Sequence, residues 1–184
     1  MNTLDNLLHI GPFFFVVFFI GAIIGMSFIS RPYWRGFFGR NDDVTKKEMK
    51  YSIIAVAVFV CYSIAYFQGI DYIRQEARKE VLQLLNNQDL EIEVGGSILK
   101  FQEKETVLRE LLTLRHIDAH HSAPEKEIVF KLKSTNGESN LILKEDSDVK
   151  NEYWVFWDKY RSTTRNEIGR IQSEKIKKTV ANIT

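Results

Sequence analysis

The sequence is poor in the features that would fix a chemistry. Its one cysteine, Cys61, excludes an intramolecular disulfide and does not identify a redox compartment. An excess of charge of either sign is also missing. Twenty-five Lys and Arg face 24 Asp and Glu, and residues 1–69 hold six of the former and four of the latter, so the rest of the chain is nearly neutral. That excludes a basic field for nucleic acid and an acidic tail. No GxSxG elbow, HExxH pair, Walker A loop or dinucleotide-binding GxGxxG occurs. Glu145, Asp146 and Asp148 lack the glycine and closing glutamate of an EF-hand loop and read as a solvated turn. With no nucleophile–base pair and no metal set in view, the chain is not expected to be an enzyme, and no cofactor is expected.

Charge is absent altogether from two stretches, and these carry the clearest positive signal. Residues 10–30 are uncharged and dense in Phe, Val and Ile. At ~1.5 Å rise, about 21 helical residues reach about 31 Å, the thickness of a bilayer's hydrocarbon core. A soluble core helix rarely stays uncharged on every face for so long. The first nine residues contain no Lys or Arg, which argues against a cleaved signal peptide. Residues 51–70 form a second run, just long enough to span and less apolar, with Tyr62, Ser63 and Tyr66 inside it. Those hydroxyls call for shielding by a partner helix, because an unpaired polar group in lipid costs several kcal/mol.

Small residues suggest where the helices meet. Gly21 and Gly25 make a GxxxG pair, and Ala57, Cys61, Ala65 and Gly69 recur at every fourth position. Such smooth stripes permit close backbone approach, either within the hairpin or between subunits. Arg31, Arg35, Arg40, Lys46, Lys47 and Lys50 crowd the connection, residues 31–50, whereas the tail 1–9 has no Lys or Arg and the stretch after the second run has Arg74, Arg78 and Lys79. The positive-inside rule then puts the connection in the cytoplasm and both termini outside, with Tyr33 and Trp34 in the interfacial aromatic belt.

Beyond residue 70 the helical pattern continues without a breaker. Ile70, Ile73, Ala77 and Leu84, with Val81 beside them, draw an amphipathic stalk over residues 71–87, best packed against its own domain. Residues 88–184 read as a small α+β domain, an antiparallel sheet with helices on one face in the order ββαβββα. Residues 91–94 and 97–101 flank the Gly95-Gly96 hairpin turn, residues 103–115 form a helix, and residues 128–132 and 141–143 pair across an Asn-Gly turn. Tyr153 to Trp157 is apolar on both faces and reads as a central strand; residues 166–177 read as a last helix burying Ile168, Ile171 and Ile176.

One cluster invites a chemical reading. His116, Asp118, His120 and His121 lie within six positions, and imidazole with carboxylate is a plausible donor set for a divalent metal. No second ligand pair stands at a fixed spacing, and the segment ends at Pro124 between a helix and a strand, so a solvated polar loop is the preferred reading. A pH-sensing role is the weaker variant. Asn182-Ile183-Thr184 has the form of an N-glycosylation acceptor, a match expected by chance.

Neither apolar run holds an ionisable group of the kind that lines channels and transporters. The chain is therefore read as a two-helix transmembrane hairpin with a C-terminal extracytoplasmic α+β domain, in the inner membrane of a bacterium. Its expected work is non-enzymatic: contact with the bilayer and with a membrane protein partner or a second copy of itself. A sensor module for a small ligand, metal or proton is the second expectation, and a membrane effector of a defence or exclusion system acting by oligomerisation the third.

Overall fold

The computed structural model describes residues 2–38, 46–117, 121–135 and 137–181. The chain divides into two compact units, one comprising residues 6–70 and the other residues 1–5 with 71–184.

The first unit is helical. Helix α1 (Asn2–His9) meets α2 (Gly11–Phe38) at a bend of 47° about Ile10. Pro12 falls in the first turn of α2, where its missing N–H would have no intrahelical partner anyway. Helix α3 (Lys46–Leu85) is a single element of 40 residues, about 60 Å long at ~1.5 Å per residue. From Lys50 onward it is long and apolar enough to cross a membrane, and no residue of its most apolar 18-residue window is buried in the fold. The bent pair of α1 and the first half of α2 meets that criterion only jointly. Helix α2 continues to Phe38 and α3 begins at Lys46, so Arg31 and Arg35 stand on α2, and Lys46, Lys47 and Lys50 on α3, rather than in a loop. Charged residues do not break helices; the cluster Gly39, Asn41, Asp42 and Asp43, which does favour a turn, comes only after Phe38. Arg40 lies outside the described residues.

Aromatic side chains join α2 to α3. Phe15 and Phe19 pack on Phe59 with ring centroids 5.4 and 5.7 Å apart, and Phe18 packs on Tyr62 at 5.0 Å. The Tyr62 hydroxyl donates to the Gly11 carbonyl at 2.8 Å, the shielding by a second helix that the sequence called for. Ser63 instead donates to the Phe59 carbonyl of its own helix at 2.8 Å. Gly11 is the glycine on which this close approach depends, since a Cβ there would run into the Tyr66 ring.

In the second unit six strands form one antiparallel sheet in the order β2-β1-β3-β4-β5-β6. They are β1 (Glu91–Val94), β2 (Ser97–Ile98), β3 (Pro124–Ser134), β4 (Gly137–Asp146), β5 (Glu152–Trp157) and β6 (Gly169–Gln172). Helix α4 (Phe101–Leu111) connects β2 to β3, α5 (Arg161–Arg165) precedes β6, and α6 (Lys175–Ala181) follows it. Gly95 and Gly96, at φ +57° and +83°, make the two-residue turn between β1 and β2 that only a left-handed backbone closes without strain.

Side chains alternate across the sheet, so one row of registered partners builds the core. Val94, Phe130, Leu141 and Trp157 face one way in adjacent strands, each 3% exposed or less. The second half of α3 joins them: Ile73, Ala77, Val81 and Leu85 are 2% exposed or less, and the last three belong to the same core as Val107 and Leu111 of α4 and Ile176 of α6. Burying Ile73, Val81 and Leu85 contributes roughly 5–9 kcal/mol by transfer, an upper value. A domain of this size keeps about 5–15 kcal/mol net, so the stalk is part of the domain. Glu80 accepts from the Tyr160 hydroxyl at 2.8 Å and pairs with Lys159 at 2.7 Å, a second tie between α3 and the β5–α5 connection. On the other face Lys131–Glu138 and Lys133–Glu93 pair across strands in solvent, at 2.8 and 2.7 Å.

Three expectations for the domain need correction. The strand of residues 97–101 stops at Ile98, and Phe101 already opens α4. The helix of residues 103–115 runs instead from Phe101 to Leu111 and starts where Glu103 accepts from the Lys100 N–H at 2.9 Å. Residues 166–177 are not one helix: β6 occupies Gly169–Gln172 and α6 starts only at Lys175. The order is therefore ββαβββαβα. Ile168, Ile171 and Ile176 are buried as foreseen, but as parts of a strand edge and a separate short helix. Strand β5, buried along almost its whole length, needs a neighbour on each side, and β6 supplies the second.

Candidate functional site

The most polar interior of the second unit lies at the β4–β5–β6 end of the sheet, on the face opposite the main helices. Alternation places Asp146, Glu152, Trp154 and Arg170 there. Arg170 is fully buried. Its Nη1 lies 2.8 Å from Glu152 Oε1 and 3.6 Å from Asp146 Oδ2, its Nε donates to Glu167 Oε2 at 3.0 Å, and the guanidinium stacks 4.0 Å above the Trp154 ring. Burial works against the charge on Arg170, but hydrogen bonds from the guanidinium to Glu152 and Glu167 outweigh it and hold the group protonated, above its ordinary value.

Asp146 anchors the other end. Burial opposes its ionisation; the Ser122 hydroxyl, the Val149 and Asp148 N–H groups and the Trp154 indole together keep it well below the usual carboxylate range. The connection between α4 and β3 is tied to this network at both ends. Arg115 exchanges backbone hydrogen bonds of 3.1 and 2.9 Å with Arg170, and Ser122 Oγ donates to Asp146 at 2.5 Å.

The network reaches the surface through Glu167. One carboxylate oxygen accepts from Arg170 and the other from Arg74 Nη2 at 3.4 Å. Above it opens a cleft of about 350 Å³, lined by Asp71, Arg74, Gln75, Arg78 and Lys79 of α3 and by His116. Two arginines are set in parallel on its wall. Arg74 Nε donates to the Glu167 carbonyl at 2.6 Å, and Arg78 Nε, one turn later, donates to the next carbonyl, Ile168, at 2.7 Å. Holding a guanidinium by its Nε fixes the plane in which the two terminal nitrogens lie. Arg78 sits below its ordinary value, chiefly from burial and then from Arg74, with Glu167 acting the other way. It still carries its full charge at neutral pH. A guanidinium neither gives nor takes protons in that range, so what these two side chains offer the cleft is fixed positive charge and oriented N–H donors.

Of the residues singled out from the sequence, His116 reaches this cleft and His121 is exposed elsewhere; Asp118, His120 and the Asn182–Thr184 acceptor lie outside the described residues. Among the described residues no group of three or more His, Cys, Asp and Glu is placed to hold a metal. Among the described residues the small-residue stripes are not seen to meet one another, and the surroundings of Gly25 lie outside the description. A Cβ on Gly21 would touch nothing within 4 Å, and Ala57, Cys61 and Ala65 are exposed. Gly69 is in close contact, with Leu8 3.1 Å from where its Cβ would stand. Arg31, Tyr33, Trp34 and Arg35 lie on the last turns of α2, and Lys50 is exposed on α3.

Sequence reasoning used Arg74 and Arg78 only for topology and missed Arg170 entirely. Their spacing of four on a helix carries a signal for a shared face, but the carbonyls that orient them come from a segment some 90 residues away. Compared with protein-family models, with curated proteins and with solved structures, the chain matches none.

Proposed function

We propose that this is a two-pass protein of a bacterial cytoplasmic membrane, whose extracytoplasmic C-terminal domain is a non-enzymatic module that engages a membrane protein partner. The observation that carries the reading is the continuity of α3. Its most apolar 18-residue window has no buried residue, and its second half forms part of the domain's core. A partner that tilts or grips the apolar half acts on a helix that the domain cannot release without losing its packing.

Two further features support it. The Asp5 carboxylate accepts from the Arg161 N–H at 2.9 Å, the Ser162 N–H at 2.9 Å and the Ser162 hydroxyl at 2.6 Å. The segment before the first apolar run is thereby bound to the domain that follows the second, as an even number of crossings requires. The exposed face at Ala57, Cys61 and Ala65 also offers a smooth surface to a neighbouring helix. The test is crosslinking in native membranes followed by mild-detergent purification. A stoichiometric membrane protein should co-purify; a monodisperse monomer with no crosslinked partner would refute the reading. A reporter fused to the C-terminus should be active only outside the cytoplasm, and an intracellular signal would reverse the orientation.

A sensor reading is favoured by one observation, the shared carboxylate of Glu167, through which occupancy of the cleft would bear directly on the buried Arg170.

A further inference from the structure

The cleft on α3 has charge to spare and a defined place along the helix. Lys79 is paired with Glu76 at 2.6 Å, and Arg74 with Asp71 and Glu167, each at 3.4 Å. Among the described residues no carboxylate forms an ion pair with Arg78, and its Nε is taken by the Ile168 carbonyl. Its two terminal nitrogens are thus a half-buried, oriented fork with no anion on them. Holding a guanidinium partly out of water is costly, and an anion offering two oxygens would reduce that cost.

Position narrows the class of anion. The apolar run of α3 ends at Ile70, and Arg74 and Arg78 follow four and eight residues later. At ~1.5 Å per residue they stand about 6 and 12 Å along the helix beyond the hydrocarbon core, the depth of the headgroup layer. Gln75 and His116 add polar groups at the rim, and Leu82 closes the far end with an apolar surface. At about 350 Å³ the cleft takes a phosphate with a short polar substituent.

We propose that this cleft binds a phosphate ester on the Arg78 fork, with Arg74 as the second cation, and that the headgroup of an anionic phospholipid supplies it. The location at the headgroup layer rests on the membrane reading above; the phosphate fork does not. Occupancy fixes the register of α3 in the bilayer and adds an anion on the far side of Arg74 from Glu167.

The full chain, purified in detergent and placed in nanodiscs of phosphatidylcholine, is titrated with phosphatidylglycerol, and in parallel arms with glycerol 3-phosphate and with inorganic phosphate. Bound lipid is counted by native mass spectrometry, and the unfolding midpoint is followed by tryptophan fluorescence. Retention of phosphatidylglycerol should fall at least tenfold in Arg78→Gln. Because that change also removes the bond to Ile168, Gln75→Glu is made alongside it. It sets a carboxylate at the rim, touches no carbonyl, and should abolish retention while leaving the lipid-free midpoint no lower than the parent's. Arg78→Lys, which keeps charge without the fork, should fall between.

If glycerol 3-phosphate protects equally and in the same Arg78-dependent way, the phosphate site stands and the lipid assignment falls. If a folded Gln75→Glu protein retains phosphatidylglycerol like the parent and no soluble phosphate shows dependence on Arg78, the proposal is overturned. A chain that stays in solution without detergent, yet binds glycerol 3-phosphate through Arg78, would refute the membrane reading and not the site.

Discussion

Replacing Arg170 by methionine keeps most of the side-chain volume and removes one charge from a place that three carboxylates share. Arg170 forms ion pairs with Glu152, Asp146 and Glu167 at once, and Glu167 also pairs with Arg74. Removing one partner of a buried ion pair, and leaving the other uncompensated, costs about 3–5 kcal/mol. For the unit that contains residues 71–184, unfolding entropy of about 2.1 cal/mol/K per residue gives roughly 0.24 kcal/mol/K, so the midpoint should fall by about 12–20 °C.

The assay is thermal unfolding of the full chain in detergent, followed by tryptophan fluorescence. Trp154, stacked on the guanidinium at 4.0 Å, reports the loss locally. The deficit should also depend on pH. Asp146 has a folded pKa held below its unfolded one, so its contribution is complete above the ordinary value of 3.8 and is lost as pH falls through the lowered value. Without the Arg170 charge beside it Asp146 protonates more readily, and the gap between variant and parent should narrow as pH is lowered from 7 toward 4. Arg170→Met with Glu152→Gln should recover part of the loss. A single variant within about 1 kcal/mol of the parent, with no narrowing at acid pH, would show that the network does not hold this end of the sheet together.

Three further outcomes follow from the geometry. Asp5→Ala removes an acceptor from the first turn of α5 and should cost about 1 kcal/mol; it should also expose the N-terminal segment to protease. Burial opposes the charge on Asp5, but the Ser162 and Arg161 hydrogen bonds win and lower its pKa, so this tie should persist above pH 3.8 and be lost as pH falls further. Gly169→Ala would press a Cβ to 2.6 Å from the Arg115 carbonyl and should destabilise by about 1–3 kcal/mol, measured by urea unfolding. Val81→Asp should unfold the domain while the chain still fractionates with membranes; recovery of a folded, protease-resistant domain would refute the assignment of the stalk to the core.

Much of the architecture was legible in local pattern. The stalk was readable because Ile73, Ala77, Val81 and Leu84 recur at helical spacing with no breaker before Asn86. The hairpin turn was readable because two successive glycines have little other use between alternating strands. Strand β6 was not, because Ile168 and Ile171 stand three apart and the period of a helix fits them as well as a buried strand does. A better clue lay in β5: a strand apolar on both faces needs two neighbours, and only the segment after it remained to provide the second. The cleft was half legible, since Arg74 and Arg78 advertise one helix face but not the carbonyls that orient them. Arg170 was invisible, because nothing in Ile168 to Gln172 marks a buried cation and its carboxylate partners Asp146 and Glu152 sit on earlier strands. Within the chain α2 and α3 meet through Phe15, Phe18, Phe59 and Tyr62, rings whose spacing marks no face in a run this rich in aromatics.

Arg170 also bears on the order in which the molecule is made. The ribosome delivers α3, then β1 to β5, with Asp146 and Glu152 already in place and their cation still to come, 18 residues after Glu152. Until β6 emerges, Glu152 at the open edge of β5 and Asp146 at the end of β4 lack that cation and resist burial. An unfinished chain is therefore kept from sealing that edge and from pairing it with a stranger. A fragment ending before residue 170 should therefore be digested faster by an added protease than the whole chain.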